Sequence, residues 1–173
     1  DSDAQMTFDG TDDSIVLPQP AVNNDNGFTI EMVIKVNNIG NSPMIITPLS
    51  GGIDHYVRVN SNGTIKMTMV RAADTVPQNF TTTSTVGNSY YSYVVFTYQN
   101  GRGGTASFNG TLENSQTPDF LALDWTETWR IGQRGNNTFF FDGELPLLKI
   151  YNRALTASEI KANYNAIKGR FNI

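Results

Sequence analysis

The chain has 173 residues, a length typical of one domain with a full hydrophobic core. Only 16% of the residues are charged, whereas 19 Asn, 19 Thr and 15 Gly favour short strands joined by turns and exclude an all-helical bundle. A net charge of −4 argues against sequence-independent binding to nucleic acid or to an anionic membrane, and the absence of cysteine excludes disulfides and thiolate chemistry.

Alternation of apolar and polar residues predicts short antiparallel strands along most of the chain. The clearest pattern is Phe28–Val36, in which every second side chain is apolar. Segments 56–60 and 64–69 also alternate, and the Asn-Gly pair between them is typical of a tight hairpin. A second hairpin is predicted from 91–98 and 104–108. Shorter strand candidates are 6–8, 14–17, 44–47, 129–132, 139–141 and 147–151, and the Thr-rich segment 81–85 is either a polar loop or an edge strand.

One helix is predicted, near the C-terminal end. Thr156 and Glu159 have the spacing of a capping box, in which each side chain bonds to the backbone amide of the other residue. Ile160 and Tyr164 then fall on one helical face, and Gly169 is expected to supply the left-handed residue that ends the helix.

Ten or more short strands in one domain have to cover two faces, so a sandwich of two sheets is the economical architecture and a closed barrel is the alternative. The whole chain, 1–173, is expected to form this single domain. Segments 6–17 and 147–151 lie near the two ends of the chain, and we expect them on the same side of the sandwich with the helix packed beside them.

Several short motifs, taken in order, resemble those of laminin G-like, concanavalin A-like jelly-roll domains. They are MTFDGTDD at 6–13, FTIE at 28–31, FNG at 108–110, FDG at 141–143 and IYNRALTASEI at 150–160. The resemblance spans nearly the whole chain and implies an all-β fold, a two-sheet antiparallel jelly-roll sandwich with one short C-terminal helix. Pro146-Leu147 stands where such domains often carry an Asp-Glu pair, and Tyr91 stands where they usually carry a tryptophan.

The fold that the resemblance implies includes glucanases, which use two carboxylates two or four residues apart on one strand. None of the five glutamates begins a Glu-x-Asp-x-Glu run, and no Gly-x-Ser-x-Gly motif accompanies the single histidine, His55. The chain is therefore predicted not to be an enzyme. A remaining hydrolase hypothesis requires Glu31 to meet Asp54 or Asp124 on one face of the sandwich.

A ligand site is predicted on the outward faces of two strands. If the apolar residues of these strands point into the core, Glu31 and Lys35 point outward from one strand, and Tyr93 and Thr97 point outward from the other. An exposed tyrosine beside hydrogen-bonding groups suits a sugar. Trp125, in a predicted loop, is a further ligand-binding candidate. The alternative for each aromatic residue is packing in the core or at a sheet edge.

Calcium is the one metal that the sequence suggests, because it prefers oxygen ligands and Asp9, Asp12 and Asp13 lie close together. No cofactor is required, and a structural calcium ion is one of two interpretations of this cluster. The alternative is that these carboxylates cap a turn or pair with cations of the C-terminal segment. The candidate cations are Lys149, Arg153 and Arg170.

The leading functional hypothesis is a non-enzymatic jelly-roll module that binds a glycan or a partner surface. Its expected partners are a glycan, a cell-surface or virion protein, or other chains of a larger assembly. Neither nucleic acid nor a membrane is an expected partner. The tail 163–171 is similar to the ends of such domains in tailed-phage virion proteins, so the expected location is extracellular or within a virion. A purely structural virion domain without a sugar site is the alternative, and a glycoside hydrolase is the third hypothesis.

Overall fold

A computed structural model describes residues 5–19, 22–49, 55–71, 75–116 and 127–173. Over these residues the chain forms twelve strands and one helix. The strands are β1 (Met6–Asp9), β2 (Ile15–Leu17), β3 (Phe28–Val36), β4 (Met44–Pro48), β5 (Tyr56–Val59), β6 (Thr64–Val70), β7 (Pro77–Thr85), β8 (Ser92–Gln99), β9 (Gly103–Phe108), β10 (Thr111–Gln116), β11 (Trp129–Ile131) and β12 (Asp142–Tyr151), and the helix is α1 (Ala157–Phe171).

The strands form two six-stranded sheets, each with antiparallel neighbours. The order in the first sheet is β1-β12-β3-β8-β9-β10, and the order in the second sheet is β2-β11-β4-β5-β6-β7. The fold is a jelly-roll sandwich, which confirms the predicted all-β class and the C-terminal helix. The Thr-rich segment 81–85 is the end of the edge strand β7, and β10 is a strand that alternation did not predict.

The hydrophobic core lies between the two sheets, where the alternating apolar residues of both inner faces meet. The largest fully buried side chains include Trp129 of β11, Phe28 of β3 and Phe96 of β8. Burial of such a side chain contributes about 1.5–3 kcal/mol, so this layer dominates the stability of the fold.

A second, smaller apolar cluster lies on the outer face of the first sheet, beneath α1. Val33, Tyr93 and Val95 point away from the core and pack with Leu155 and Ile160 at the start of the helix. Because α1 lies on this face, the central strands of the first sheet are buried on both sides.

The predicted capping box is present at the start of α1, where Thr156 is the N-cap and its side chain accepts a hydrogen bond from the Glu159 amide. The predicted end of the helix was wrong. The helix continues through Gly169 to Phe171, and Asn172 adopts the left-handed conformation that ends it, with φ of 53°. The last turn is held because the Phe171 ring packs edge-on against Tyr91, at 5.7 Å between ring centroids.

Within the described residues, no helix is both long enough and apolar enough to cross a membrane.

The two ends of the chain meet only in part as expected. Strand β1 pairs with β12, with Met6 opposite Leu145 and Phe8 opposite Gly143. Strand β2, however, pairs with β11 in the second sheet, so segment 6–17 does not stay on one side. The turn at Gly10, with φ of 78°, carries the chain from one sheet to the other.

Segment 139–141 is not a strand, which corrects a second prediction. Phe139 has φ of 54°, a left-handed conformation that an extended strand does not tolerate. Strand β12 begins only at Asp142, and it pairs with β1 on one side and with β3 on the other. A bulge in its pairing with β3 lies between Glu144 and Leu147, around Pro146, which lacks the amide needed for a continuous ladder.

Candidate functional site

Four of the predicted ligand residues lie on the outer face of the first sheet, as alternation predicts, but α1 covers much of that face. The Glu31 side chain is 0% exposed. Its carboxylate accepts hydrogen bonds from the Tyr151 hydroxyl at 2.7 Å and from the Asn163 amide at 2.9 Å, and it pairs with Lys149 at 3.3 Å. Glu31 therefore joins β3 to β12 and to α1, and its expected exposure was wrong.

Tyr93 and Thr97 are also buried, which corrects their expected exposure. The Tyr93 ring lies 5.8 Å from the Tyr164 ring of α1, and burial together with the negative charge of Glu31 raises the pKa of the Tyr93 hydroxyl. The Thr97 hydroxyl bonds to that of Thr105 on β9 at 2.7 Å. Neither side chain offers a sugar an open surface in this arrangement.

Lys35 lies beyond the helix-covered centre but is held by its neighbours. Its ammonium group forms an ion pair with Glu144 and lies 5.4 Å from the centre of the Tyr91 ring. The Glu144 carboxylate also accepts a hydrogen bond from the Tyr91 hydroxyl. The hydrogen bonds from Lys35 and Tyr91 lower the pKa of Glu144, and the bond to Glu144 raises the pKa of Tyr91 to about 12.

Three residues named in the sequence analysis lie outside the described part of the chain. They are Trp125, a ligand-binding candidate, and Asp54 and Asp124, the partners required by the hydrolase hypothesis. Glu31, the third member of that hypothesis, is covered by α1 and Lys149 and so cannot reach a substrate in this arrangement.

The acidic cluster at the start of the chain is compact and exposed. Oxygen atoms of Asp9, Asp12 and Asp13 lie within 4.8 Å of one another, a spacing that a calcium ion could bridge. Two of the three carboxylates also cap the turn after β1, because Asp13 accepts from the Asp9 amide at 3.0 Å and Asp9 accepts from the Thr11 amide at 2.8 Å. The hydrogen bonds confirm turn capping, whereas calcium binding stays a prediction.

The predicted pairing of these aspartates with Lys149 and Arg153 was wrong. Lys149 pairs with Glu31, and Arg153 forms two hydrogen bonds with Glu159 at the start of α1, at 2.8 and 3.0 Å. Lys149 thus helps to attach the helix through Glu31, and Arg153 stabilises the first turn of the helix through Glu159.

A cleft opens at the end of the sandwich where β1 stops and β12 starts, and we call it the end cleft. Its volume is about 260 Å³. Three chain segments form it: the end of β1, the loop after β3 and the segment that enters β12. The lining residues are Asp9, Gly10, Asn38, Gly40, Asn41, Phe139, Phe140 and Asp142.

The polar groups of the end cleft are partly engaged by the protein. The side-chain amide of Asn37 donates to one oxygen of Asp142 at 3.0 Å, and the backbone amide of Gly40 donates to the side-chain oxygen of Asn38 at 2.8 Å. The Asn41 side chain has no hydrogen-bond partner among the described residues. The cleft therefore offers amide donors and carboxylate acceptors to a ligand.

Two lining residues of the end cleft other than glycine have a left-handed backbone conformation, and one of them is strained. Asn41 has φ of 61°, which Asn tolerates, whereas φ of 54° at Phe139 is costly for a bulky side chain. The Phe139 carbonyl accepts a hydrogen bond from the Met44 amide at 2.9 Å, and the Arg134 guanidinium lies 5.8 Å from the ring centre. Phe139 lines the cleft and is 37% exposed.

Among the residues that the structure describes, no helix covers the outer face of the second sheet. Three residues that were not predicted as ligand residues lie on this face. Tyr56 and Arg58 of β5 and Lys66 of β6 alternate with core residues and point outward. We call this set the Tyr56 face. Its register places Arg58 directly opposite Lys66 and Tyr56 opposite Thr68. Both cations lie over the Tyr56 ring, at 5.7 Å for Arg58 and 5.5 Å for Lys66.

The positive charges of this face act on the tyrosine. Burial acts to raise the pKa of Tyr56, but the hydrogen bond with Thr68 and the charges of Lys66 and Arg58 outweigh it and lower the pKa. A sequence signal for this face was available. The Asn62-Gly63 turn fixes the hairpin, and alternation on both of its strands then places Tyr56, Arg58 and Lys66 on one side.

Several solved structures share this fold. The binding domain of Paraclostridial Mosquitocidal Protein 1 has a TM-score of 0.75 at 16% identity, covering 94% of this chain and 43% of its own. Domain 4 of AbnA, an extracellular arabinanase from Geobacillus stearothermophilus, was solved with arabinotriose. It has a TM-score of 0.71 at 17% identity, and the match covers 91% of this chain and 75% of the AbnA domain. A heptameric SAP-like pentraxin from Limulus polyphemus has a TM-score of 0.65 at 19% identity, and the match covers 91% of this chain and 79% of the pentraxin chain. This chain spans less than half of the mosquitocidal fragment.

No curated protein sequence matches the chain at a significant level. A family profile described as the concanavalin A-like lectin/glucanases superfamily matches residues 9–161. That range runs from the last residue of β1 into α1 and includes β2 to β12 and every lining residue of the end cleft. The motif resemblance and the two-sheet sandwich agree with this match, and the chain therefore belongs to the laminin G-like family (Laminin_G_3) of the concanavalin A-like lectin/glucanases superfamily.

Proposed function

We propose that this chain is a non-enzymatic carbohydrate-binding module of a secreted, cell-surface or virion protein. In this proposal a sugar unit occupies the end cleft. The outer face of the first sheet, where the sequence placed the site, is mostly occupied by α1 and by the side chains that attach it.

The chemistry of the end cleft carries the proposal. Phe139 presents an aromatic ring, which can pack against the C–H face of a sugar. The Asn41 amide can donate to or accept from hydroxyl groups, and the carboxylates of Asp9 and Asp142 accept from them. A volume of about 260 Å³ suits one sugar unit or a chain end rather than a long segment of polysaccharide.

The similar structures support the same class of function. One of them is an arabinanase domain solved with arabinotriose, and another is the ligand-binding domain of botulinum neurotoxin serotype D in complex with N-acetylneuraminic acid. The fold is thus compatible with a binding role separate from catalysis. The non-enzymatic part of the proposal rests on Glu31, which α1 covers, and on the absence of the glucanase carboxylate motif.

A glycan array followed by calorimetry on the bound glycans tests the proposal. We expect Phe139→Ala to weaken binding at least about tenfold, because it removes the stacking surface. Asn41→Gly removes the amide while keeping a residue that tolerates positive φ, and it is expected to weaken binding as well. Leu112→Ala is the matched control, since Leu112 is 52% exposed on β10, away from the cleft-lining residues, and should leave affinity unchanged.

Two results would contradict the proposal. Silence across the array would favour the alternative, a structural virion domain that makes protein contacts and has no sugar site. Binding that survives both cleft variants would place the sugar elsewhere on the molecule.

A further inference from the structure

We propose that the Tyr56 face is a second binding site, specific for an anionic saccharide that carries a carboxylate or sulfate group. This inference takes from the proposed function only the class of ligand. The site lies on the second sheet, whereas residues of β1, of the loop after β3 and of the segment entering β12 line the end cleft.

Arg58 and Lys66 bring two positive charges to the outer face of β5 and β6. Neither forms an ion pair with a carboxylate in the described ranges, and β5, β6 and β7 contain no Asp or Glu. The carboxylate of Glu113 reaches β7 from the first sheet, but it is engaged by the amides of Thr83 and Ser84. A chain with a net charge of −4 thus carries a locally positive surface.

The two cations also directly face each other across the β5–β6 ladder. Like charges at opposite positions destabilise a strand pair, so this arrangement is unfavourable for folding alone. An anion placed between Arg58 and Lys66 would relieve the repulsion and would accept charge-assisted hydrogen bonds from both groups.

Neighbouring side chains hold both cations in place. Both lie over the Tyr56 ring, and the Arg58 Nε atom donates to the Asn60 side chain at 3.3 Å. Less conformational entropy is then lost when an anion binds. The Tyr56 ring acts as the support of the two cations, so the charged groups, rather than a stacked ring, recognise the ligand.

The surroundings favour a saccharide over a nucleic acid. Lys66 lies opposite Thr81, and Asn79 and Thr81 of β7 lie on the same outer face. The Asn79 side-chain oxygen accepts from Thr68 at 2.7 Å, so the Asn79 NH2 group and the Thr81 hydroxyl are the groups offered to sugar hydroxyls. Two cations neutralise one or two negative groups, whereas nucleic-acid binders neutralise many phosphates. The net charge of −4 further disfavours a long polyanion.

The test uses the full chain with three oligosaccharides of matched length: an oligogalacturonate, a sulfated oligosaccharide and a neutral glucan. We expect calorimetry to detect binding of an acidic probe that weakens as salt is raised, because exposed charges are screened. Arg58→Gln and Lys66→Gln should each weaken it about tenfold or more. The uronate and sulfate probes decide which anionic group is preferred.

Arg102→Gln is the matched control, since it removes one positive charge from the exposed tip of the β8–β9 hairpin. Tyr56→Leu should weaken the binding more than Tyr56→Phe does, because only Tyr56→Leu removes the ring over which both cations lie. If Arg102→Gln weakened binding of the acidic probe as much as Arg58→Gln and Lys66→Gln do, the net charge of the chain would explain the binding and the inference would be overturned. Equal binding of the neutral glucan, no binding of either acidic probe, or tighter binding of single-stranded DNA of equal charge would overturn it as well.

The two proposals fail separately. Loss of acidic-probe binding in the Lys66→Gln chain, with end-cleft binding intact, supports two distinct sites. Binding of neutral glycans that depends on Phe139 but no acidic-probe binding would leave the proposed function standing and remove the second site.

Discussion

At the scale of single residues, Glu31 shows how a charged side chain becomes structural. Its carboxylate is fully buried, and its partners come from β12 and α1. A charge in such a place is tolerated only when it is paired and hydrogen-bonded. If the helix were absent, Glu31 would be exposed and would suit ligand binding. Its place on the strand therefore could not show whether its role is structural or ligand-binding.

Replacement of Glu31 by alanine should therefore destabilise the protein strongly. The change leaves the Tyr151 hydroxyl and the Asn163 amide without their buried acceptor, and we expect a loss of roughly 3 kcal/mol in the free energy of unfolding. Urea denaturation measures this loss. Lys149→Met is the control, with an expected loss of about 1 kcal/mol, since Lys149 is 47% exposed and the two neutral donors to Glu31 remain. Equal losses in both variants would contradict this account.

The acidic turn gives a second prediction at the residue scale, because the two uses of its carboxylates can be separated. Asp9 and Asp13 bond to backbone amides, whereas Asp12 makes no hydrogen bond in the described part of the chain. Asp12→Asn should therefore leave the turn intact and weaken only a metal site. We expect millimolar calcium to raise the Tm of the wild-type chain but not that of Asp12→Asn.

The size of the calcium effect follows from mass action. Calcium at about 100 times its Kd adds about 2.7 kcal/mol, and each kcal/mol raises Tm by about 2–4 °C in a domain of this size. Differential scanning calorimetry with calcium or with a chelator measures the shift. An unchanged wild-type Tm would restrict the three aspartates to turn capping.

At the scale of elements, the start of α1 combines a capping box with an ion pair. The Glu159 carboxylate accepts from Arg153, from the Thr156 amide and from the Thr156 hydroxyl. The hydrogen bond from Arg153, followed by those from Thr156, lowers the pKa of Glu159 to about 2. A negative charge at this end of a helix is also favoured by the helix dipole.

This pKa gives a pH dependence with a definite sign. Because the pKa of Glu159 is lower in the folded chain than its ordinary value of 4.5, the ionised form stabilises folding above pH 4.5. That stabilisation is lost as pH falls from about 4.5 to about 2. We expect the wild-type Tm to exceed that of Glu159→Gln near neutral pH and the difference to shrink over this interval. Gln can keep the capping box but not the charge, so a difference independent of pH would contradict the role of the ion pair.

Strands and their inner faces could be predicted from the sequence because alternation is a local signal. In Phe28–Val36 it correctly placed Ile30 and Met32 in the core and Glu31 on the outer face. The exposure of that outer face could not be predicted, because it depends on where α1 packs, and α1 is more than 100 residues away in sequence. The Tyr56 face, in contrast, depends on one hairpin register and was within reach of the sequence.

At the scale of the whole molecule, closure of the sandwich depends on β12. This strand lies between β1 and β3, so it joins the first strand of the chain to the centre of the first sheet. Residues 147–151 pair with Val33 to Thr29 of β3, and the segment that follows leads into α1. The end of the chain thus supplies both a central ladder and the cover of an outer face.

Removal of residues 147–173 should therefore abolish cooperative folding. The truncation breaks the second half of the β12–β3 ladder, exposes Val33, Tyr93 and Val95, and leaves Glu31 without Lys149, Tyr151 and Asn163. Each apolar side chain that loses its cover costs about 1.5–3 kcal/mol, against a total stability of about 5–15 kcal/mol for a domain. A chain ending at Gly169 is the control. It loses only the contacts of Phe171 and the final residues, and it should keep a cooperative thermal transition at a slightly lower Tm. A cooperative transition of the shorter chain near that of the full protein would show that β12 and α1 are dispensable for closing the sandwich.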